Sequence, residues 1–207
     1  MNQNLELNTN ASDQPPWFLI LRDTNPEMVM AWLDAFSDPG PWSIGSGHIV
    51  QSKADAIVSP ANSYGFMDGG IDLMYRNHFG VGLQNRLQTY LKEHFNGFLP
   101  VGQAILIPTL KAAIPHMIVA PTMERPMNVA STSNAYLALR AALHKVVEYN
   151  RYTVEHNQPP IHRILVPGLA TGIGGMNVDT SARQMRKAVD EVLAEQSVSG
   201  EITTQLN

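Results

Sequence analysis

Between residues 55 and 80 the chain reads DAIVSPANSYGFMDGGIDLMYRNHFG. Ala56-Ile57-Val58 is an apolar run of strand length. It empties into a small, polar loop in which Asn62, Asp68 and Asp72 are spaced among Gly65, Gly69 and Gly70. Such residues suit a polar ligand. Glycines let backbone N–H groups come close to an anion. An amide and carboxylates can hold hydroxyl groups or orient a water molecule. The ordinary alternatives are also physical. Asn62 is a common turn former. Asp68 and Asp72 read equally as solvated loop carboxylates, or Asp72 as the N-cap of a helix through LMYRNHF.

A second stretch has the same design. Val166 leads through PGLATGIGGMNVD (167–179) toward an amphipathic helix. In open α/β sheets ligands sit beyond the carboxyl ends of strands, and a helix N-terminus adds partial positive charge there. Two such loops could grip a diphosphate from both sides. Backbone amides would do the binding, so a net charge of −4 is no obstacle. The usual phosphate signatures are missing. There is no G-x-x-x-x-G-K-[ST], and GIGGMN (172–177) has Asn177 where a G-x-G-x-x-G would carry its third glycine. GSGHIV (45–50) fails in the same way. A P-loop NTPase and a standard dinucleotide-binding domain are disfavoured. The chain has no cysteine, and its seven histidines show no H-x-x-x-H or H-E-x-x-H spacing, which argues against catalytic zinc. Ser63 lacks the G-x-S-x-G context of an activated serine.

GHIVQSKADAIVSPANSYGFMDGGID (47–72) resembles the first binding segment of macrodomains, whose pattern runs Gly-Asp-Ile, a strand ending Asn-Ala-Ala-Asn, and a Gly-rich loop carrying Gly-Val-Asp. VPGLATGIGGMNVDTSARQM (166–185) resembles their second loop, which precedes the last helix. The resemblance implies a three-layer α/β/α fold with a mixed, mostly parallel sheet and a cleft for ADP-ribose. It implies a ligand contact at Asn62 on the distal ribose, and a role for Asp72 in orienting that ribose or a water. The expected lining is His48, Ile49, Ala61, Asn62, Gly69, Gly70, Ile71 and Asp72 from the first segment. From the second it is Pro167, Ala170, Thr171, Gly172, Ile173, Gly174, Gly175 and Met176. Three departures stand out. His48 replaces the Asp that reads adenine, Ser59-Pro60 replaces Asn-Ala, and Gly174 and Met176 replace aromatic residues. The implied function is binding of ADP-ribose or a related NAD-derived nucleotide, with Asn62 and Asp72 as catalytic candidates for metal-independent, cofactor-free hydrolysis of an ADP-ribosyl linkage. The alternative is a module that binds ADP-ribosylated partners, or sequesters a nucleotide signal, without chemistry. Nucleic acid is expected only as an ADP-ribosylated substrate.

Around the two loops, the remaining readings concern packing. His48 reads as structural or as a base contact through neutral imidazole. Tyr64 and Phe66 read as loop packing or as stacking on a ribose or base. Met123 to Met127 read as a surface loop that could rim the cleft. The sparse charge, 15% of residues, shows no basic cluster, so a non-specific nucleic-acid face is not expected. No apolar run is long enough to span a bilayer, and the N-terminus lacks a signal-peptide pattern, so a cytoplasmic protein is expected.

The elements that must position these loops alternate. Strands are expected at 17–22, 43–50, 55–60, 102–109, 116–121 and 164–169, and helices at 25–36, 81–95, 131–150 and 181–196. Leu83, Leu87, Leu91 and Phe95 share one helical face. Ser181 and Gln184 are spaced as a capping box. Strand–helix alternation argues one α/β layered domain over 17–196, with a flexible arm at 1–16 and a flexible tail at 197–207.

Overall fold

The computed structural model describes residues 17–205, with side chains described through 198; the expected N-terminal arm lies outside the described residues. The chain runs β1 (Phe18–Asp23), α1 (Pro26–Ala35), β2 (Trp42–Ser46), a single 3-10 turn (Ile49–Gln51), β3 (Ala56–Ser59), α2 (Gly70–Phe79) and α3 (Gly82–Phe95). It continues through β4 (Ile105–Pro108), β5 (His116–Val119), α4 (Asn134–His156), β6 (Arg163–Val166) and α5 (Val178–Gln205). The sheet order is β2-β1-β6-β3-β5-β4. Every pair is parallel except β4 with β5.

Strand periodicity divides the core into two. Leu19, Leu21, Val58, Ile118 and Val166 face α1, α4 and α5, where Trp32, Leu139, Leu143 and Met185 are buried. The alternate residues Ile20, Ile57, Met117 and Leu165 face α2 and α3, where they meet Tyr75, Phe79, Leu83, Leu87 and Leu91. This is the three-layer α/β/α arrangement, with a mixed, mostly parallel sheet. Burying each of the three α3 leucines contributes about 1.5–3 kcal/mol. The layers hold the carboxyl ends of five parallel strands at one edge.

Several boundaries differ from the sequence reading, and those that bear on the site or run furthest are these. The strand expected at 43–50 ends at Ser46. Gly47 adopts φ +132°, a conformation that L side chains rarely take, and its N–H gives a last bond to the Asp23 carbonyl. His48 therefore precedes a 3-10 turn instead of lying in a strand. α4 continues to His156 and stops at Asn157 in the left-handed conformation. α5 starts at Val178 and runs past 196 to Gln205. Its cap is Asn177, whose side-chain oxygen accepts from the N–H groups of Asp179 and Thr180. No capping box forms. The Ser181 hydroxyl donates to the Leu169 carbonyl at 2.7 Å, and Gln184 bonds Thr132 and Tyr136.

Candidate functional site

The strand order places five loops along one groove. The tips of β2 and β1 lie at one end, β6 in the middle, and β3 and β5 at the other. They enclose a cavity of about 460 Å³, within the range that holds a nucleotide-sized ligand. The β1–β2 end is lined by Arg22, Asp23, Thr24, Asn25 and Gly47 to Ile49. The β3–β5 end is lined by Ala61, Asn62, Phe66, Asp68, Met123 and Pro126. Between them lie the start of α2 and residues 170–174 of the β6 loop.

The middle of the cavity is built from backbone. α2 begins after Gly69, which supplies no side-chain cap. Its first-turn N–H groups, at Gly70, Ile71 and Asp72, have no intrahelical acceptor. Gly70 takes φ +54°, with nothing within 4 Å of the position a Cβ would occupy. Opposite, the β6 loop folds back on itself. Ala170 sits at φ +63°, and its carbonyl accepts from Met176, while the Gly172 carbonyl accepts from Gly175. The N–H groups of Thr171, Gly172, Ile173 and Gly174 between those closures have no protein acceptor among the described residues. Ile173 reaches across, its Cδ1 lying 3.6 Å from where a Cβ on Gly69 would stand. Two stretches whose amide donors lack a protein acceptor among the described residues thus border one space, one of them the N-terminus of a helix. That arrangement attracts an anion.

Asp72 is not a helix cap. It lies in the first turn of α2, is buried, and accepts a 2.5 Å hydrogen bond from the Ser59 hydroxyl at the end of β3. Burial raises its pKa to about 7, and the Ser59 bond opposes that rise only in part. Ser59, a departure from the macrodomain pattern, is thus the partner of the candidate catalytic carboxyl.

The Asn62 side chain organises its own loop. Its oxygen accepts from the N–H groups of Tyr64 and Phe66, and its amide donates to the Phe66 carbonyl. This is the turn-forming role. One amide N–H is left without a protein acceptor among the described residues, and Asn62 lines the cavity.

Thirteen of the sixteen expected lining residues border the cavity: His48, Ile49, Ala61, Asn62, Gly69, Gly70, Ile71, Asp72, Ala170, Thr171, Gly172, Ile173 and Gly174. Pro167, Gly175 and Met176 do not. Pro167 is buried directly after β6. Gly175 turns toward Asn128, and Met176 is 2% exposed in the core against α1, α4 and α5. Gly174 has no room for any side chain, since a Cβ there would lie 2.5 Å from the Ala170 carbonyl and 2.8 Å from Val129 Cγ2. Phe66 lines the cavity half-exposed, whereas Tyr64 packs on Phe98 and under Arg125. Residues 123–124 pair with Asn62 and Ser63, and Met123 and Pro126 line the cavity, so this segment rims it while residues 124–127 stay exposed. The β1 tip, Arg22 to Asn25, went unremarked in the sequence. The rule that ligands sit at strand carboxyl ends would have nominated it, because WFLILR is an evident strand.

Among the described residues no three His, Asp or Glu side chains cluster as a metal site requires, and no helix is long and apolar enough to cross a membrane.

A family model for the Macro domain matches residues 58–185. An uncharacterized protein of Aquifex aeolicus (strain VF5) is 31% identical over 139 residues, covering 67% of this chain and 74% of that protein. Among solved structures, the macrodomain of Mycobacterium tuberculosis DarG superposes with a TM-score of 0.54 at 21% identity, covering 72% of this chain and 89% of that one. The Oceanobacillus iheyensis macrodomain, solved as a Gly-to-Val variant with ADPR, superposes with a TM-score of 0.55 at 18% identity, covering 69% and 73%.

Proposed function

This chain belongs to the Macro domain family, and from that premise we propose that it binds ADP-ribose, or a close NAD-derived relative, in the cavity across the strand tips. The observation that carries this reading is the pair of unpartnered amide rows, at the start of α2 and at residues 171–174, bordering one cavity. They match a diphosphate, which needs many donors and no particular cation. The donors and acceptors on either side then suit the two sugar-bearing arms. In this reading the adenosine arm would lie toward β1 and β2, and the distal ribose toward Asn62, Phe66 and Met123, which line the two ends. The variants solved for the Oceanobacillus iheyensis protein lend support. They replace an Asn, a Gly and an Asp standing seven and then three residues apart, and Asn62, Gly69 and Asp72 repeat those types at that spacing.

The reading extends to hydrolysis of an ADP-ribosyl linkage. The loops would hold the diphosphate and bend the distal ribose toward α2. Asn62 would hold a ribose hydroxyl through its remaining amide N–H. Asp72, or the ligand's own diphosphate, would orient water toward the anomeric carbon as its bond to the leaving group breaks. A carboxyl with pKa about 7 can take up or release a proton at neutral pH, which an ordinary aspartate cannot. Positioning and electrostatic support supply the rate.

One observation favours a binding module without chemistry. Both oxygen-bearing candidates are already engaged, Asn62 by its loop and Asp72 by Ser59. The test is calorimetric titration with ADP-ribose, AMP and NAD, followed by turnover of an ADP-ribosylated substrate. Binding of ADP-ribose but not AMP is expected, and equal affinity for both would overturn the diphosphate grip. Asp72→Ala should bind but not turn over; unchanged turnover would remove Asp72 from the chemistry, and no turnover by the unaltered protein would leave the binding module.

A further inference from the structure

We propose that Asp23, at the tip of β1, is the residue that reads the nucleobase, through an acceptor contact to an exocyclic amino group. The inference rests on the ADP-ribose reading and adds the residue that sets base specificity.

With the distal ribose at Asn62, as the ADP-ribose reading has it, the base falls at the opposite, β1–β2 end of the cavity. The cavity has three carboxylates. Asp68 belongs to the β3 loop, and Asp72 is buried at the start of α2 against Ser59. Only Asp23 lies at the β1–β2 end. His48, at the lip of that end, is exposed and has no side-chain hydrogen bond among the described residues.

Asp23 is built to present its carboxylate. One oxygen accepts from the Asn25 N–H at 2.9 Å and the other from the Gly168 N–H at 3.0 Å. Those two bonds fix the plane of the group and leave lone pairs on both oxygens. Gly168 is required for this approach, because a Cβ there would lie 2.9 Å from the Asp23 oxygen and 3.0 Å from Met28. The carboxylate therefore bridges the β1 and β6 tips and faces the cavity between them.

Its neighbour completes the edge. Arg22 lines the same end, with its guanidinium between Gly45 and Gly47. Its Nε is buried without a hydrogen-bond partner, and it forms no ion pair with Asp23 among the described residues. A fixed acceptor beside an unpaired donor complements a base edge that carries an amino group next to a ring nitrogen, as adenine does.

The test compares ADP-ribose with its inosine analogue, which has a carbonyl oxygen where the amino group stood. Both are titrated into the full chain and into Asp23→Asn. The unaltered protein should prefer ADP-ribose by at least about tenfold, since an acceptor facing a carbonyl loses a hydrogen bond and gains repulsion. Asp23→Asn presents a donor as well as an acceptor, so the preference should vanish or reverse. A merely structural Asp23 would weaken both ligands equally and keep their ratio. Should Asp23→Asn fold poorly, Asp23→Ala with His48→Asp supplies a carboxylate from the opposite lip and should recover the preference. An unchanged ratio in Asp23→Asn, or no preference in the unaltered protein while ADP-ribose still binds, overturns the proposal and leaves the ADP-ribose reading standing. Failure of both nucleotides to bind overturns that reading, and the proposal with it.

Discussion

Replacing Asp72 with Asn should stabilise the protein at alkaline pH and much less at acidic pH. The carboxyl is buried, and its pKa is raised from 3.8 to about 7. The folded state therefore holds a proton that the unfolded state releases. The stability contributed by protonated Asp72 is fully present below about pH 3.8 and is lost as pH rises through about 7. The whole shift corresponds to roughly 4 kcal/mol, of which about 3 kcal/mol falls between pH 5 and pH 8. Asn keeps the shape and still accepts from the Ser59 hydroxyl, but it does not titrate. Thermal melts of both proteins at the two pH values isolate this group, because the two chains differ nowhere else. The gap in melting temperature should widen by roughly 6–12 °C from the lower pH to the higher. A gap that stays the same would show that Asp72 does not ionise near neutrality, and would refute the claim that burial outweighs the Ser59 hydrogen bond.

The same ionisation should act on the ligand. Asp72 becomes a negative charge at the start of α2 as pH rises through about 7, so calorimetry should find ADP-ribose binding weaker at pH 8 than at pH 6, and unaffected over that range in Asp72→Asn. Gly174→Ala forces a Cβ against the Ala170 carbonyl and Val129, which should cost about 1–3 kcal/mol in a melt and disrupt the amide row enough to abolish ADP-ribose binding. Retained affinity would show that the loop can refold around the methyl group.

Much of this arrangement was legible in the chain because it depends on short-range patterns. The strand runs, the α3 leucine face and the Gly-rich ends of β3 and β6 all declare themselves within a few residues. What escaped depends on contacts distant in sequence. Ser181 and Gln184 have capping-box spacing, but Ser181 is drawn to the Leu169 carbonyl and Gln184 to Thr132 and Tyr136, leaving the cap to Asn177. Asp72 read as a cap or as a catalytic carboxyl, and the choice stayed open because its partner, Ser59, is brought opposite only when α2 packs over the end of β3. Met176 follows a loop that lines the cavity, yet the Met176–Ala170 closure turns its side chain into the core. Asp23 drew no reading in the sequence, and its place in the cavity follows from β1 lying beside β6.

These contacts explain how an acidic chain can hold an anion. The amide donors are grouped in the middle of the cavity, while Asp23 lies at one end and Asp68 at the other. An anion is favoured where the N–H groups are, and the carboxylate at each end calls for a donor on the ligand. A ligand with its phosphates in the centre, an amino group on one arm and hydroxyls on the other satisfies all three regions at once. A free phosphate satisfies only the middle, and a mononucleotide cannot reach both ends. In the proposed reading the carboxylates that look adverse in the sequence would therefore set the length and orientation of the ligand, and the backbone would supply the attraction.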